Sequence, residues 1–163
     1  MAERPTIRIR AARTSDRQAV LALWRALMDE HRDIPPGFAL CENADERAGE
    51  MFFDPDHAES QRLVVATKPD GAIVGFSFAL LIHNAPIYDP AVIGCITDCY
   101  VAPMHRASGI GTALIAALER WFRRREITHV EVSVAANNPR AARFWRRVGA
   151  VDKFLRLEFR FDD

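Results

Sequence analysis

Between residues 91 and 122 the chain runs from AVIGCITDCYV through APMHRASGIG directly into TALIAALERWF. The first stretch is an almost unbroken apolar and β-branched run, which suits a strand covered on both faces. The last puts Ile110, Leu114, Leu118 and Trp121 on one helical stripe, with Ala113, Ala117 and Phe122 beside it. Gly109 and Gly111 lie between them. A strand, a short turn, a glycine loop and a helix N-terminus bring several backbone N–H groups and the positive end of a helix dipole to one point, and glycine lets an anion approach the backbone closely. A phosphate or pyrophosphate is the guest this junction suits. A strand-to-helix turn without a ligand has the same outline.

The loop is neither of two common phosphate loops. A Walker loop ends in Gly-Lys-Ser/Thr, whereas Gly111 is followed by Thr112; a dinucleotide fingerprint is G-x-G-x-x-G, whereas Gly111 is followed by Thr112, Ala113 and Leu114. What stands here is Arg106-Ala107-Ser108-Gly109-Ile110-Gly111, an R-x-x-G-x-G preceded by Tyr-Val-Ala-Pro. This resembles the coenzyme A loop of the GNAT acetyltransferase superfamily. The resemblance implies that the amides of Arg106, Ala107, Ser108, Gly109, Ile110, Gly111 and Thr112 hold the CoA pyrophosphate. It also implies that the strand end at Tyr100 and Val101 pairs with the pantetheine arm, and that acetyl-CoA is the acyl donor; no metal is expected, since no metal-ligand spacing stands in the sequence.

A second signature of that family is N-x-x-A-x-x-aromatic-Tyr-x-x-x-Gly-Phe. In NPRAARFWRRVGA, Asn138, Ala141, Phe144 and Gly149 match, and by the resemblance Asn138, Ala141, Phe144 and Trp145 line the cofactor. Trp145 stands where the tyrosine is expected and Ala150 where the phenylalanine is. In many members that tyrosine is assigned as the acid that protonates the departing thiolate. An indole N–H donates a hydrogen bond but gives up no proton. A thiol of pKa near 8.5 leaving as thiolate at pH 7 costs only about 2 kcal/mol, so the exchange slows the reaction without forbidding it. Simple core packing is the other account of Trp145.

The remaining pattern predicts β, α, β, β, β, α, β, α, β in one domain over residues 1–163. Residues 6–10 read as a strand, and Ser15 with Gln18 as a capping box for a helix bearing Val20, Leu23, Trp24 and Leu27. Residues 62–67 and 72–83 read as a hairpin about Lys68-Pro69-Asp70-Gly71. Then come the strand from residue 91, the glycine-loop helix, a strand over 129–135, a helix opened by Pro139 and closed by Gly149, and a last strand over 153–161. The order is that of the GNAT fold, an α/β fold with a mixed central sheet flanked by helices on both faces; motif-level resemblance spans about residues 92–150. Cys95 and Cys99 fall four apart on one strand, on the same face and too far apart to bridge comfortably, and a reduced cytoplasmic setting is expected. No apolar stretch reaches the length of a membrane span.

Acyl transfer from a thioester asks for few groups. The acyl carbonyl needs a backbone donor, for which the resemblance offers the Val101 amide. The amine must arrive neutral, and an alkylamine of pKa near 10.4 is about 0.04% deprotonated at pH 7, so a base is worth having. Asp98 is the carboxylate inside the 91–101 strand and the candidate base, unless it caps a neighbouring loop; Glu131 is a weaker candidate. For the acid the sequence holds two tyrosines, Tyr88 and Tyr100, and thiolate departure without an acid is the expected alternative. An acyl-carrying Cys95 or Cys99 would give ping-pong kinetics, but no histidine lies near either in sequence.

Net charge is zero yet unevenly spread. Asp29, Glu30, Asp33, Glu42, Asp45, Glu46, Glu50, Asp54, Asp56 and Glu59 face only Arg32 and Arg47 within residues 29–59. Within residues 101–150, Arg106, Arg120, Arg123, Arg124, Arg125, Arg140, Arg143, Arg146 and Arg147 face Glu119, Glu126 and Glu131. The basic part is the CoA part; the acidic part falls where the family builds its acceptor site, which points to a cationic amine acceptor, a small molecule or a peptide. Both runs also suit ordinary solvated faces. The reading is an acetyl-CoA-dependent N-acetyltransferase; the alternative is a CoA-binding sensor or non-catalytic module of the same fold. Balanced charge argues against a nucleic-acid partner, and no membrane partner is expected. The resemblance leaves room for a homodimer, since edge strands of this fold often pair between subunits.

Overall fold

The computed structural model describes residues 6–34, 39–159 and 161. Five strands form one sheet in the order β1 (Arg8–Ala11), β2 (Gln61–Thr67), β3 (Ile73–His83), β4 (Val92–Val101) and β5 (Val130–Val132). The first three pairings are antiparallel and β4–β5 is parallel, so the sheet is mixed. Helices α1 (Arg17–Arg32) and α2 (Ala44–Phe52) cover one face, burying Val20, Trp24, Leu27 and Phe52 against Leu63, Val65, Phe76, Phe78 and Tyr100. Helix α3 (Ile110–Arg123) covers the other, burying Ile110, Leu114, Leu118, Trp121 and Phe122 against Val64, Ala66, Val74, Ala79 and Ile96. The fourth helix, α4 (Pro139–Arg147), joins that side through Trp145.

Local chemistry explains the joints. The hairpin turn closes through Lys68 N–H to the Ala72 carbonyl at 2.9 Å, with Gly71 at φ +87°. Gly94 lets α3 close on β4, since a Cβ there would run into the Phe122 ring. The predicted Ser15/Gln18 box does not form. A short 3₁₀ turn (Thr14–Asp16) precedes α1 instead, and the Asp16 carboxylate accepts from Arg13 N–H at 2.7 Å while two Arg10 N–H groups donate to it at 2.6 and 2.9 Å. An ionised acceptor outcompetes a hydroxyl for that role.

Three further expectations are corrected. The strand over 129–135 shrinks to Val130–Val132, because its ladder with β4 ends at Ile96↔Val132. That ladder stops next to a bulge: Phe78 pairs with Asp98 and Ala79 with Ile96, so Thr97 is an extra residue in β4. The same bulge reverses the side-chain alternation. Tyr100 lies in the α1 cluster and Ile96 in the α3 cluster, so Cys99 and Cys95 sit on opposite faces rather than one. Finally, residues 153–159 and 161 form no strand, against the expectation that they close the sheet; Leu155, Leu157, Phe159 and Phe161 pair with no ladder and stay exposed.

Candidate active site

The loop after β4 is built as the glycine spacing demands. Ala107 (φ +58°) and Gly109 (φ +85°) are both left-handed, and Gly109 is the N-cap of α3, with no side chain capping the helix. Ala113 N–H reaches back to the Gly109 carbonyl at 3.0 Å. The N–H groups of Ile110, Gly111 and Thr112 therefore face outward at the positive helix end. Open space surrounds the position a Gly109 Cβ would take. Phe144 of α4 stands over Gly111, where a Cβ would meet its ring at 3.0 Å, and Trp145 stacks edge-on to Phe144 at 5.2 Å. Asn138, nearly buried, caps α4 by accepting from Ala141 N–H at 3.0 Å. Arg106, Ala107, Ser108, Gly109, Ile110, Gly111, Thr112, Phe144 and Trp145 are thus brought together; Asn138 and Ala141 frame the start of the helix beside them.

The end of β4 supplies a backbone donor. Ala102 N–H bonds the Val74 carbonyl at 2.9 Å, which makes Val74/Ala102 a hydrogen-bonded pair and Gly75↔Val101 a non-hydrogen-bonded one. Alternation then turns the Val101 N–H away from β3, toward the side that β5 has left. The Val101 carbonyl on that side accepts from Arg106 Nε at 2.8 Å.

Beneath it lies a polar cluster on the α1 face. Asp98 is buried, and its carboxylate accepts from Thr97 Oγ1 at 2.6 Å. Burial pushes its pKa up, against the hydroxyl of Thr97 and the charge of His31. Tyr100, 5% exposed, donates its hydroxyl to Glu30 Oε1 at 2.9 Å; burial and that carboxylate raise its pKa. Tyr88 lies apart, exposed in the β3–β4 connection. That connection enters β4 at Val92, and a strand of this length spans about 30 Å from there to Val101.

Glu30 was not singled out from the sequence, yet it joins three elements. Besides Tyr100 it accepts from Arg106 at 2.6 Å and from Arg140 at 2.8 Å. Burial works against its charge, but these three donors hold its pKa below the usual carboxylate range. The signal available was its position: it continues the Val20, Trp24, Leu27 stripe of α1 by three residues, where an apolar residue belongs. Burial raises the Cys95 thiol and pushes Cys99 up to about 12, which leaves neither poised as a nucleophile. Among the described residues no group of three His, Cys, Asp or Glu side chains is placed to hold a metal ion, and no helix is long and apolar enough to cross a membrane.

The comparisons with known proteins agree with this geometry. Among curated proteins no sequence match is found. Among solved structures, the aminoglycoside N-acetyltransferase AAC(6')-Iy in complex with CoA superposes with a TM-score of 0.78 at 19% identity, over 99% of this chain and 98% of that one. The aminoglycoside 6'-N-acetyltransferase AAC(6')-Ih from Acinetobacter baumannii gives 0.74 at 17% identity, over 97% and 99%. The glucosamine-6-phosphate N-acetyltransferase from Arabidopsis thaliana gives 0.70 at 16%, over 96% and 99%. Residues 23–150 match the family model "Acetyltransferase (GNAT) family", and the chain belongs to that family of acetyl-CoA-dependent acetyltransferases.

Proposed function

We propose that the protein transfers the acetyl group of acetyl-CoA to a primary amine of a small cationic acceptor by direct attack in a ternary complex. The observation that carries this reading is the parting of β5 from β4 after Ile96↔Val132, beside the uncapped start of α3. It leaves a slot of unpaired backbone leading to an anion cradle.

Acetyl-CoA supplies an activated thioester. The left-handed loop and the outward N–H groups of Ile110, Gly111 and Thr112 suit its pyrophosphate. The Val101 N–H is the donor for the acyl oxygen. Asp98, whose burial raises its carboxyl pKa and so its basicity, receives the amine proton through solvent at the exposed Thr97 bulge. Tyr100 keeps its proton against Glu30, so its hydroxyl serves as a positioning group and the thiolate departs without a dedicated acid. The acceptor is cationic because Glu42, Asp45, Glu46 and Glu50 line an exposed face at and before α2. The solved aminoglycoside and amino-sugar enzymes supply the precedent of small amine acceptors. A peptide amine is the second acceptor class, for which no feature of the site argues specifically.

The test is thermal unfolding with and without acetyl-CoA, followed by thiol release with polyamines, aminoglycosides, amino sugars and lysine peptides. A raised Tm and thiol release with small cationic amines are expected. A raised Tm without thiol release from any amine makes the protein a CoA-binding module, and an unchanged Tm removes the reading.

A further inference from the structure

At the end of α3 opposite the glycine loop stands a group of arginines that acetyl transfer does not require. Arg62, on β2, points to the α3 face, since Val64 and Ala66 follow it at period two and belong to the α3 cluster. Its guanidinium carbon lies 5.9 Å from the ring centre of Trp121, and that of Arg125, just past the helix, lies 4.7 Å from the same ring. Arg124 adjoins them, exposed. The 14 residues of α3 put this group about 20 Å from the loop.

The charges there do not balance. Arg125 donates to the Glu59 carbonyl at 3.1 Å and to its carboxylate at 3.3 Å, but the Glu59 side chain is 97% exposed and a weak counter-charge. Glu119 is taken by Arg123. Arg62 makes no hydrogen bond or ion pair among the described residues, and its Nε is closed to solvent without an acceptor. Trp121 beneath it, 1% exposed, has its indole N–H in the same condition. The two terminal nitrogens of Arg62 are not closed off in this way, so compensation reaches the guanidinium from that side. Burial lowers the Arg62 pKa, the charges of Arg125 and Arg124 lower it further, and Glu59 alone works the other way. A helix C-terminus accounts for cations at Arg124 and Arg125, but not for Arg62, which comes from another element. Contact with the Trp121 ring offsets part of the cost of a half-buried, unpaired cation and none of the repulsion from its neighbours.

We infer that Arg62, Arg124 and Arg125 form a second anion site, separate from the CoA loop, which binds the phosphate group of inorganic phosphate or of a small phosphate monoester. Guanidinium groups take phosphate oxygens through paired N–H donors, and a dianion held by Arg62 and Arg125 answers both the repulsion and the lost hydration. Trp121 is the floor on which both side chains are held, and Arg124 adds charge at the rim. The free protein then carries an uncompensated cation that stability alone would remove.

The test is thermal unfolding in saturating acetyl-CoA, which fills the glycine loop, with inorganic phosphate, glycerol phosphate or sodium chloride at matched ionic strength. For a Kd near about 1 mM, about 10 mM of either phosphate should raise Tm by roughly 3–6 °C, and the larger gain names the source. A gain no larger than that in chloride overturns the inference. Arg62→Met keeps an unbranched chain over Trp121 and removes the charge. In chloride its Tm should equal or exceed that of wild type, and its response to phosphate should be lost. A lower Tm in chloride would make Arg62 a packing group for the indole and overturn the site, as would a phosphate response that survives. Arg125→Gln keeps a donor for the Glu59 carbonyl; phosphorus NMR titration of this variant should show phosphate affinity weakened about tenfold or more. Unaltered affinity there also overturns the inference.

Discussion

The pH behaviour of Asp98 gives the most direct test of a single side chain. Its folded pKa is raised by burial, so the folded state holds a proton the unfolded chain has released once pH exceeds the ordinary carboxylate range. Its contribution to stability is fully present below the unfolded value and is lost as pH rises through the raised folded value. Glu30 runs the other way: its lowered pKa contributes stability above the ordinary carboxylate value, lost as pH falls through the folded one. Stability curves of Asp98→Asn and wild type should therefore differ in slope above the ordinary carboxylate value, the variant losing less as pH rises, and parallel curves would contradict the buried carboxyl. Asp98→Asn should also lower kcat by about 10²-fold or more if the group is the base. The acid question has its own comparison. With thiolate departing unaided, Trp145→Tyr should raise kcat below pH 8, the ordinary thiol range, while Tyr100→Phe and Tyr88→Phe cost less than about tenfold in kcat at unchanged KM for acetyl-CoA. A larger loss in either Phe variant, with no gain from Trp145→Tyr, makes that tyrosine the acid. Some of these residues were legible in the sequence and some were not. Gly109 announced a left-handed backbone because glycine is the residue such a position selects. Ala107, equally left-handed, gave no such sign, and the role of Glu30 depends on where the end of α1 comes to rest against Arg106 and Arg140.

At the scale of elements, patterns that bury side chains on a regular period were readable, and those depending on a neighbour were not. The stripes of α1 and α3 and the hairpin about Lys68–Gly71 follow from local sequence, and the structure reproduces them within a residue or two. The bulge at Thr97 left no trace, because nothing in CITDCYV distinguishes an extra residue from the next position in a pleat. It nevertheless adjoins the point where β5 parts from β4, since the β4–β5 ladder ends at Ile96↔Val132. The last strand was expected over 153–161, but a strand needs a ladder, and the described residues of that segment pair with none. Two predictions belong here. Gly109→Asp strains a left-handed backbone at φ +85°, though open space surrounds the new side chain, and it sets a carboxylate at the anion cradle; at a protein surface such like-charge repulsion costs roughly 2–4 kcal/mol, or about 30- to 900-fold in CoA affinity. Isothermal titration measures it, and unaltered affinity would remove the cradle. On α2, Glu46→Lys with Glu50→Lys should raise the acceptor KM and leave that for acetyl-CoA unchanged; equal shifts in both would place α2 outside the acceptor site.

For the molecule as a whole, the sheet separates two cores, and under the proposed function it also divides the acceptor side from the CoA side. The α1/α2 cluster centred on Phe52, Phe76 and Phe78 and the α3 cluster centred on Leu114, Leu118 and Trp121 lie on opposite faces of the strands. Phe52→Ala should cost about 3–5 kcal/mol and Leu118→Ala about 2–5 kcal/mol by opening cavities in their separate cores. Since the two share no packing partner across the sheet, the double variant's loss should equal the sum within about 0.5 kcal/mol. Function should divide along the same plane. Phe52 supports α2 and the acidic face, so its truncation should fall on the acceptor KM; Leu118 supports the helix whose N-terminus opens at the loop, so its truncation should fall on acetyl-CoA affinity. Glu30 is the group that crosses from one side to the other, a carboxylate on α1 holding Tyr100 of β4, Arg106 of the loop and Arg140 of α4. Glu30→Gln keeps the volume and removes the charge, leaving two guanidinium groups without their counter-ion. It should therefore alter the KM of both substrates at once, where Phe52→Ala and Leu118→Ala each alter one. Denaturant unfolding of the four proteins with steady-state kinetics on each decides the matter: strong non-additivity in stability, or a Glu30→Gln effect confined to one substrate, would mean that the two faces are not independent and that Glu30 is not their link.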